Sequence, residues 1–195
     1  MNLRNKFSLG VSLLVATVLF TGCSQDANGV ILYGTEQQID QALTKQSKDV
    51  IATDNYNVKM VSAGEQNAMV MNKTTAQSLL EKELLRKVDE GNNTTPIDAL
   101  PQITSDAGVY FAKNETANLT VGPNKLTYQG NVIIGDGRSY ADLFVIVDDA
   151  TWEQVEGTTK KVSVWGYNKD PKNEMGTFNV ETEQLVHMKE MDTKK

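Results

Sequence analysis

A single cysteine, Cys23, stands in the 195 residues of this chain. No internal disulfide can form, so whatever the chain folds into is held by apolar burial alone. The cysteine also closes a distinctive N-terminal stretch. Arg4 and Lys6 supply positive charge, Phe7 to Phe20 form an apolar run broken only by Ser8, Gly10, Ser12 and Thr17, and small Thr21-Gly22 follows. These are the three parts of a secretory signal. The apolar run reaches only ~20 Å as a helix, short of the ~30 Å hydrocarbon core, so it is not expected to remain as a spanning segment.

The residues Leu19-Phe20-Thr21-Gly22-Cys23 resemble the lipobox of bacterial lipoproteins. The resemblance implies a diacylglyceryl thioether, with palmitate-like acyl chains, on Cys23 and cleavage of the signal between Gly22 and Cys23. The sequence departs from the family pattern at Phe20, where leucine is usual. Two or more acyl chains hold a protein stably, because each buried methylene contributes about 0.8 kcal/mol. The implied location is extracytoplasmic and membrane-anchored, on the outer leaflet of the cell membrane or on the outer membrane, with Ser24 in place of an aspartate after the cysteine. The discarded octapeptide Val15 to Gly22 also resembles the hydrophobic pheromones cut from lipoprotein leaders, which implies a further alternative role as a pheromone precursor.

Removing residues 1–22 leaves 173 residues with 17 basic and 25 acidic side chains, a formal charge of −8. The acidic balance argues against nucleic acid as a partner, because phosphate contacts demand clustered lysine and arginine. The same balance gives no electrostatic grip on anionic lipid, so membrane affinity must come from the lipid on Cys23.

Residues 23–29 read as a short lipidated tether and residues 30–100 as an α/β segment. Val30-Ile31-Leu32-Tyr33 predicts a strand, and Thr35-Glu36-Gln37-Gln38 a capping box that starts a helix to about Ser47. Val50 to Thr53 and Val58 to Val61 read as two strands divided by an Asp54-Asn55 turn. Ala76, Leu80, Leu84 and Val88 recur every four residues and predict a helix over 75–90, supported by Glu83 and Lys87 at i,i+4 and stopped by Gly91. Polar Asn92 to Pro96 and Leu100-Pro101 mark a candidate internal boundary.

Residues 101–190 read as antiparallel β. Val109 to Phe111, Leu119 to Val121, Lys125 to Tyr128, Val162 to Tyr167, Phe178 to Val180 and Leu185 to Met188 all have strand character. Val132 to Ile134 and Leu143 to Val147 are expected to form a hairpin about Gly135-Asp136-Gly137-Arg138, and Asp149 to Glu156 a helical turn on which Trp152 and Val155 pack. The expected fold is α+β: an N-terminal helix/strand segment packed with a mainly antiparallel half whose texture over 120–190 resembles a small barrel of the OB type.

Chemistry is sparse. The one histidine, His187, lies in a strand-like stretch with no nucleophile motif beside it, and no catalytic residue is assigned. His187, Met188 and Met191, with Met69 and Met71, are soft donors suited to Cu(I), but methionine is also a common core filler, so no metal is expected. Asp136, Asp142, Asp148 and Asp149 suit turns and caps more than Ca²⁺, since no calcium-loop spacing is present. Gly135 and Gly137 lack the lysine and helix start of a phosphate loop, so no cofactor is expected. Trp152, Trp165, Tyr167 and Tyr140 form a candidate binding face. The leading expectation is a non-enzymatic binding or assembly component of the bacterial envelope with a protein or cell-wall polymer as partner. The alternative is a glycan- or peptidoglycan-acting enzyme that uses carboxylates near Trp152 and Trp165.

Overall fold

Apolar runs that do not alternate need cover on both sides, and two such runs set the architecture. They are Val30-Ile31-Leu32-Tyr33 and Leu143-Phe144-Val145-Ile146-Val147, every residue of which is buried. A computed structural model describes residues 27–45, 48–122 and 124–191. Gly22, Cys23, the leader and the Val15 to Gly22 peptide lie outside the described residues.

The chain runs through β1 (Gly29–Gly34), α1 (Glu36–Thr44), β2 (Val50–Ala63), β3 (Gln66–Asn72) and α2 (Lys73–Glu81). It continues through β4 (Leu85–Val88), β5 (Thr94–Pro96), β6 (Ala107–Ala112), β7 (Thr120–Val121) and β8 (Asn124–Tyr128). It then forms β9 (Val132–Ile134), β10 (Leu143–Val147), α3 (Asp149–Gln154), β11 (Thr158–Tyr167) and β12 (Thr182–Val186). Nine strands make one mixed sheet in the order β12-β1-β11-β2-β3-β10-β6-β8-β7, and β5-β4-β9 form a second, three-stranded sheet. β10 runs parallel to β3 and β8 parallel to β6, while the other pairings are antiparallel. Strands from residues 30–100 and from residues 101–190 are therefore interleaved in one α+β sheet.

One face of the large sheet carries Ile31, Val58, Met69, Phe111, Phe144 and Val164 against α2 and the small sheet. The opposite face carries two separate clusters. Val30, Leu32 and Trp165 pack under α1, while Val70, Tyr110 and Val145 pack under α3. The predicted capping box starts α1: the Gln38 amide donates to Thr35 Oγ1 at 3.3 Å, and the Thr35 amide to Gln38 Oε1 at 2.8 Å. Asp148 caps α3 by accepting the Thr151 amide at 2.7 Å.

The sheet is open, with β12 and β7 at its two edges, so the OB-type barrel does not form. The reason is long-range pairing. β11 pairs with β2 over ten residues and β1 lies between β11 and β12, which carries these strands away from β8 at the far edge. The hairpin about Gly135 is also absent, because β9 joins the small sheet and β10 the large one. Gly135 instead turns at φ 63°, where an added Cβ would meet Gln184 Oε1 and Val186 Cγ1 at 2.7 Å.

The 75–90 helix is corrected as well. α2 ends at Glu81, and Glu83 takes a left-handed φ of 58°. This releases Leu85 to pair with Ile134 in β4. Leu84 is still fully buried, but on the turn between helix and strand. Asp54 and Asn55 do not turn the chain, because each meets a partner, one from the end of α2 and one from β11. The Lys82 ammonium lies 2.9 Å from Asp54 Oδ2, and the Ser163 hydroxyl donates to Asn55 Oδ1 at 2.5 Å. β2 therefore runs through them unbroken. Phe178 to Val180 forms a loop whose Phe178 ring caps Trp165, not a strand.

Because Leu84 is 0% exposed in the main core, Leu84→Ala is expected to cost about 2–5 kcal/mol. Half-buried Val88→Ala should cost less. Urea unfolding of both variants measures this, and equal losses would show that the helical stripe, not the turn, describes the packing.

Candidate functional site

The four aromatics expected to share a face lie in three places. Trp165 is 0% exposed, and its indole donates to Ser163 Oγ at 2.6 Å. Tyr167 is in the same core beneath α1 and donates to the Glu174 carboxylate at 2.9 Å. Trp152, on α3, is buried against the sheet, where its indole donates to the Val70 carbonyl at 3.2 Å. Lys59 holds this helix end in place. Its ammonium sits 4.4 Å from the Trp152 ring centroid and donates to the carbonyls of Trp152, Glu153 and Val155 at 2.7, 3.2 and 2.8 Å, a cation at the negative end of a helix. Tyr140 belongs to the opposite face, stacked on Tyr33 at 4.7 Å. Among the described residues neither indole opens into an aromatic-lined cleft.

The aspartates serve local structure. Asp142 accepts the Asn67 amide at 2.8 Å. Hydrogen bonds from Thr151 hold the Asp148 carboxyl below its ordinary value. Asp149 sits in the first turn of α3. Burial raises Asp136 against the opposing pull of His187 and Arg86. Met69, Met71 and Met188 all belong to the main core, Met188 lying beside Gly29 at the end of the sheet. No group of three or more metal-ligating His, Cys, Asp or Glu side chains occurs among the described residues.

What the fold does bring together is a polar patch around Tyr140. Its hydroxyl donates to Glu181 Oε2 at 2.8 Å, and Lys160 pairs with the other carboxylate oxygen of Glu181. Beside them, Gln184 donates to Ser139 Oγ at 2.5 Å and to the Gly137 carbonyl at 3.4 Å. Lys160 and Glu181 are distant in sequence and follow no motif. They meet because β11 and the segment entering β12 both flank β1. Burial and the anionic Glu181 push the Tyr140 hydroxyl far above its ordinary value, so it stays a donor. Partial desolvation raises Glu181, but hydrogen bonds from Lys160 and Tyr140 outweigh it and hold the carboxyl below its usual range. The patch offers fixed donors and an acceptor beside an aromatic ring, a set suited to hydrogen-bonding a peptide or a sugar.

A second feature opens at the end of the sheet where β1 begins. An open cleft of about 690 Å³ lies there among Asn28, Ile51, Tyr167, Lys169, Met188 and Met191. Asn28 ties the two ends of the described chain together: its side-chain amide donates to the Met188 carbonyl at 2.8 Å and accepts the Met188 amide at 3.0 Å.

The Glu181 arrangement predicts a pH dependence. A carboxyl whose folded value is depressed contributes stability above its unfolded pKa, about 4.3 for glutamate, and loses it as pH falls through the lower folded value. Wild type is therefore expected to exceed Glu181→Gln in urea-unfolding stability at neutral pH, with the difference closing as the solution is acidified below that range. A difference independent of pH would show that the pair contributes nothing through ionisation.

Among curated proteins none matches the chain. Among solved structures, a crystal structure of a Bacillus anthracis protein described as a presumptive lipoprotein is similar, with 30% identity and a TM-score of 0.78, over 84% of this chain and all of that one. The model of a family described as an uncharacterised lipoprotein family, Lipoprotein_22, matches residues 27–189. That span takes in both sheets, the Tyr140 patch and most of the cleft lining, and so this chain belongs to that lipoprotein family.

Proposed function

We propose that the protein is anchored by acyl chains on Cys23 at the extracytoplasmic face of a membrane and works there as a non-enzymatic binding or assembly component. The observation that carries this reading is the closeness of the core to the cysteine. Gly29, the first residue of β1, follows Cys23 by only six residues, at most about 20 Å of extended chain. β1 is an interior strand buried along its length, so lipid on Cys23 holds the whole sheet near the bilayer.

Of the four aromatics considered for binding, Tyr140 is the one that is not fully enclosed, and it already presents a hydroxyl, a carboxylate and an ammonium together. We assign the contact with a protein or cell-wall polymer to this patch. The glycan-enzyme alternative loses the feature that motivated it, since Trp152 and Trp165 are packed inside separate cores.

Two experiments test the reading. Metabolic labelling with a palmitate analogue is expected to mark wild type in the membrane fraction and to fail on Cys23→Ala, which should accumulate without lipid. Normal labelling of Cys23→Ala contradicts the anchor. Purified acylated protein is then mixed with cell-wall polymer or with envelope proteins. Binding should weaken about tenfold on Tyr140→Ala, as for a contact aromatic, with no release of soluble glycan. Release of glycan fragments would restore the enzyme.

A further inference from the structure

We propose that the end of the sheet carrying Asn28, Ile51 and Met191 lies directly against the lipid bilayer that holds Cys23. The inference rests on the anchor reading above and adds an orientation to it. Ala27 is at this end, on the rim of the open cleft, and it follows Cys23 by four residues, at most about 14 Å of chain. The bilayer surface must therefore pass close to this end.

The side chains there suit a lipid surface. Ile51, 36% exposed, is the exposed large hydrophobic residue among those described. A single exposed isoleucine means little alone, but this one shares the rim with half-buried Met191 and with Ala27. The charged groups at the rim are mostly acidic: Lys169 pairs with Asp49 at 3.3 Å, and Asp170 and Glu190 lie nearby. Contact thus depends on tether and apolar side chains and not on anionic lipid, and the recess between them admits headgroups.

The opposite end has a different character. β2 runs from Val50 at the cleft to Ala63, and the exposed Gly64-Glu65 turn follows. Ile51 and Ala63 are twelve residues apart on this strand, about 40 Å at strand rise. A sheet standing on its Ala27 end holds this turn about 40 Å from the bilayer, whereas a sheet lying on its side would bring the turn down to it.

The test uses full-length acylated protein in phosphatidylcholine vesicles. Ile51→Cys, Met191→Cys and Glu65→Cys are each labelled with a polarity-sensitive fluorophore. In acylated protein the Cys23 sulfur is a thioether, so the introduced thiol is the one that reacts. Nitroxide lipids should quench the probes at positions 51 and 191 several-fold more than the probe at 65, with a blue shift confined to the first two. Equal quenching at all three positions, or strongest quenching at 65, overturns the orientation while leaving the anchor intact. If the parent chain itself takes the thiol label, Cys23 is not acylated, and the anchor reading and the orientation fall together.

Discussion

The structure depends on the burial of β1. Its side chains meet apolar partners on both faces, and its two edges pair with β11 and β12. A strand enclosed in this way cannot be displaced without opening both the α1 core and the main core. It also sets where later strands go. By taking β11 and β12 to its own sides, β1 leaves β8 and β7 to finish the opposite edge, and the sheet stays open. The same strand brings Lys160 to Glu181 and so assembles the Tyr140 patch. Because the first strand is also among the most enclosed, anything attached just before it is mechanically coupled to the entire domain. A lipid on Cys23 would act on the core itself and not on a loose appendage.

Much of this was legible in the chain. The apolar runs at residues 30–33 and 143–147 read as strands, which the structure buries in full, and the Thr35 to Gln38 capping box marked a helix start that the structure reproduces. The failures share one cause, since local pattern was overruled by distant pairing. The four-residue spacing through Leu84 correctly marked burial, but Leu85 gains more by pairing with Ile134 than by extending α2. Asp54 and Asn55 carried turn chemistry that Lys82 from the end of α2 and Ser163 from β11 satisfied instead. The parallel pairing of β3 with β10 joins segments some seventy residues apart, and nothing local encodes it.

The candidate site was less legible. Trp152 and Trp165 were read as part of an aromatic binding face, and an indole also needs a hydrogen-bond partner as a polar handle. The fold supplies that handle internally, through the Val70 carbonyl and the Ser163 hydroxyl. Tyr140 was named from sequence, yet Glu181 and Lys160, which give it chemical character, follow no spacing that would have revealed them. The cleft by Ala27 was invisible too, since it draws on both ends of the described chain and on the start of β2. The family match then gives the lipobox resemblance a second footing, through residues 27–189 that do not include the cysteine.

The central claim is that a short lipid tether stands this sheet upright on a membrane. Energy transfer from a donor at position 65 to acceptor lipids in the facing leaflet tests it most directly. The account predicts a height of about 40 Å or more, the length of β2. A height under about 20 Å, within the reach of the tether itself, would mean that the domain lies on its side and would contradict it.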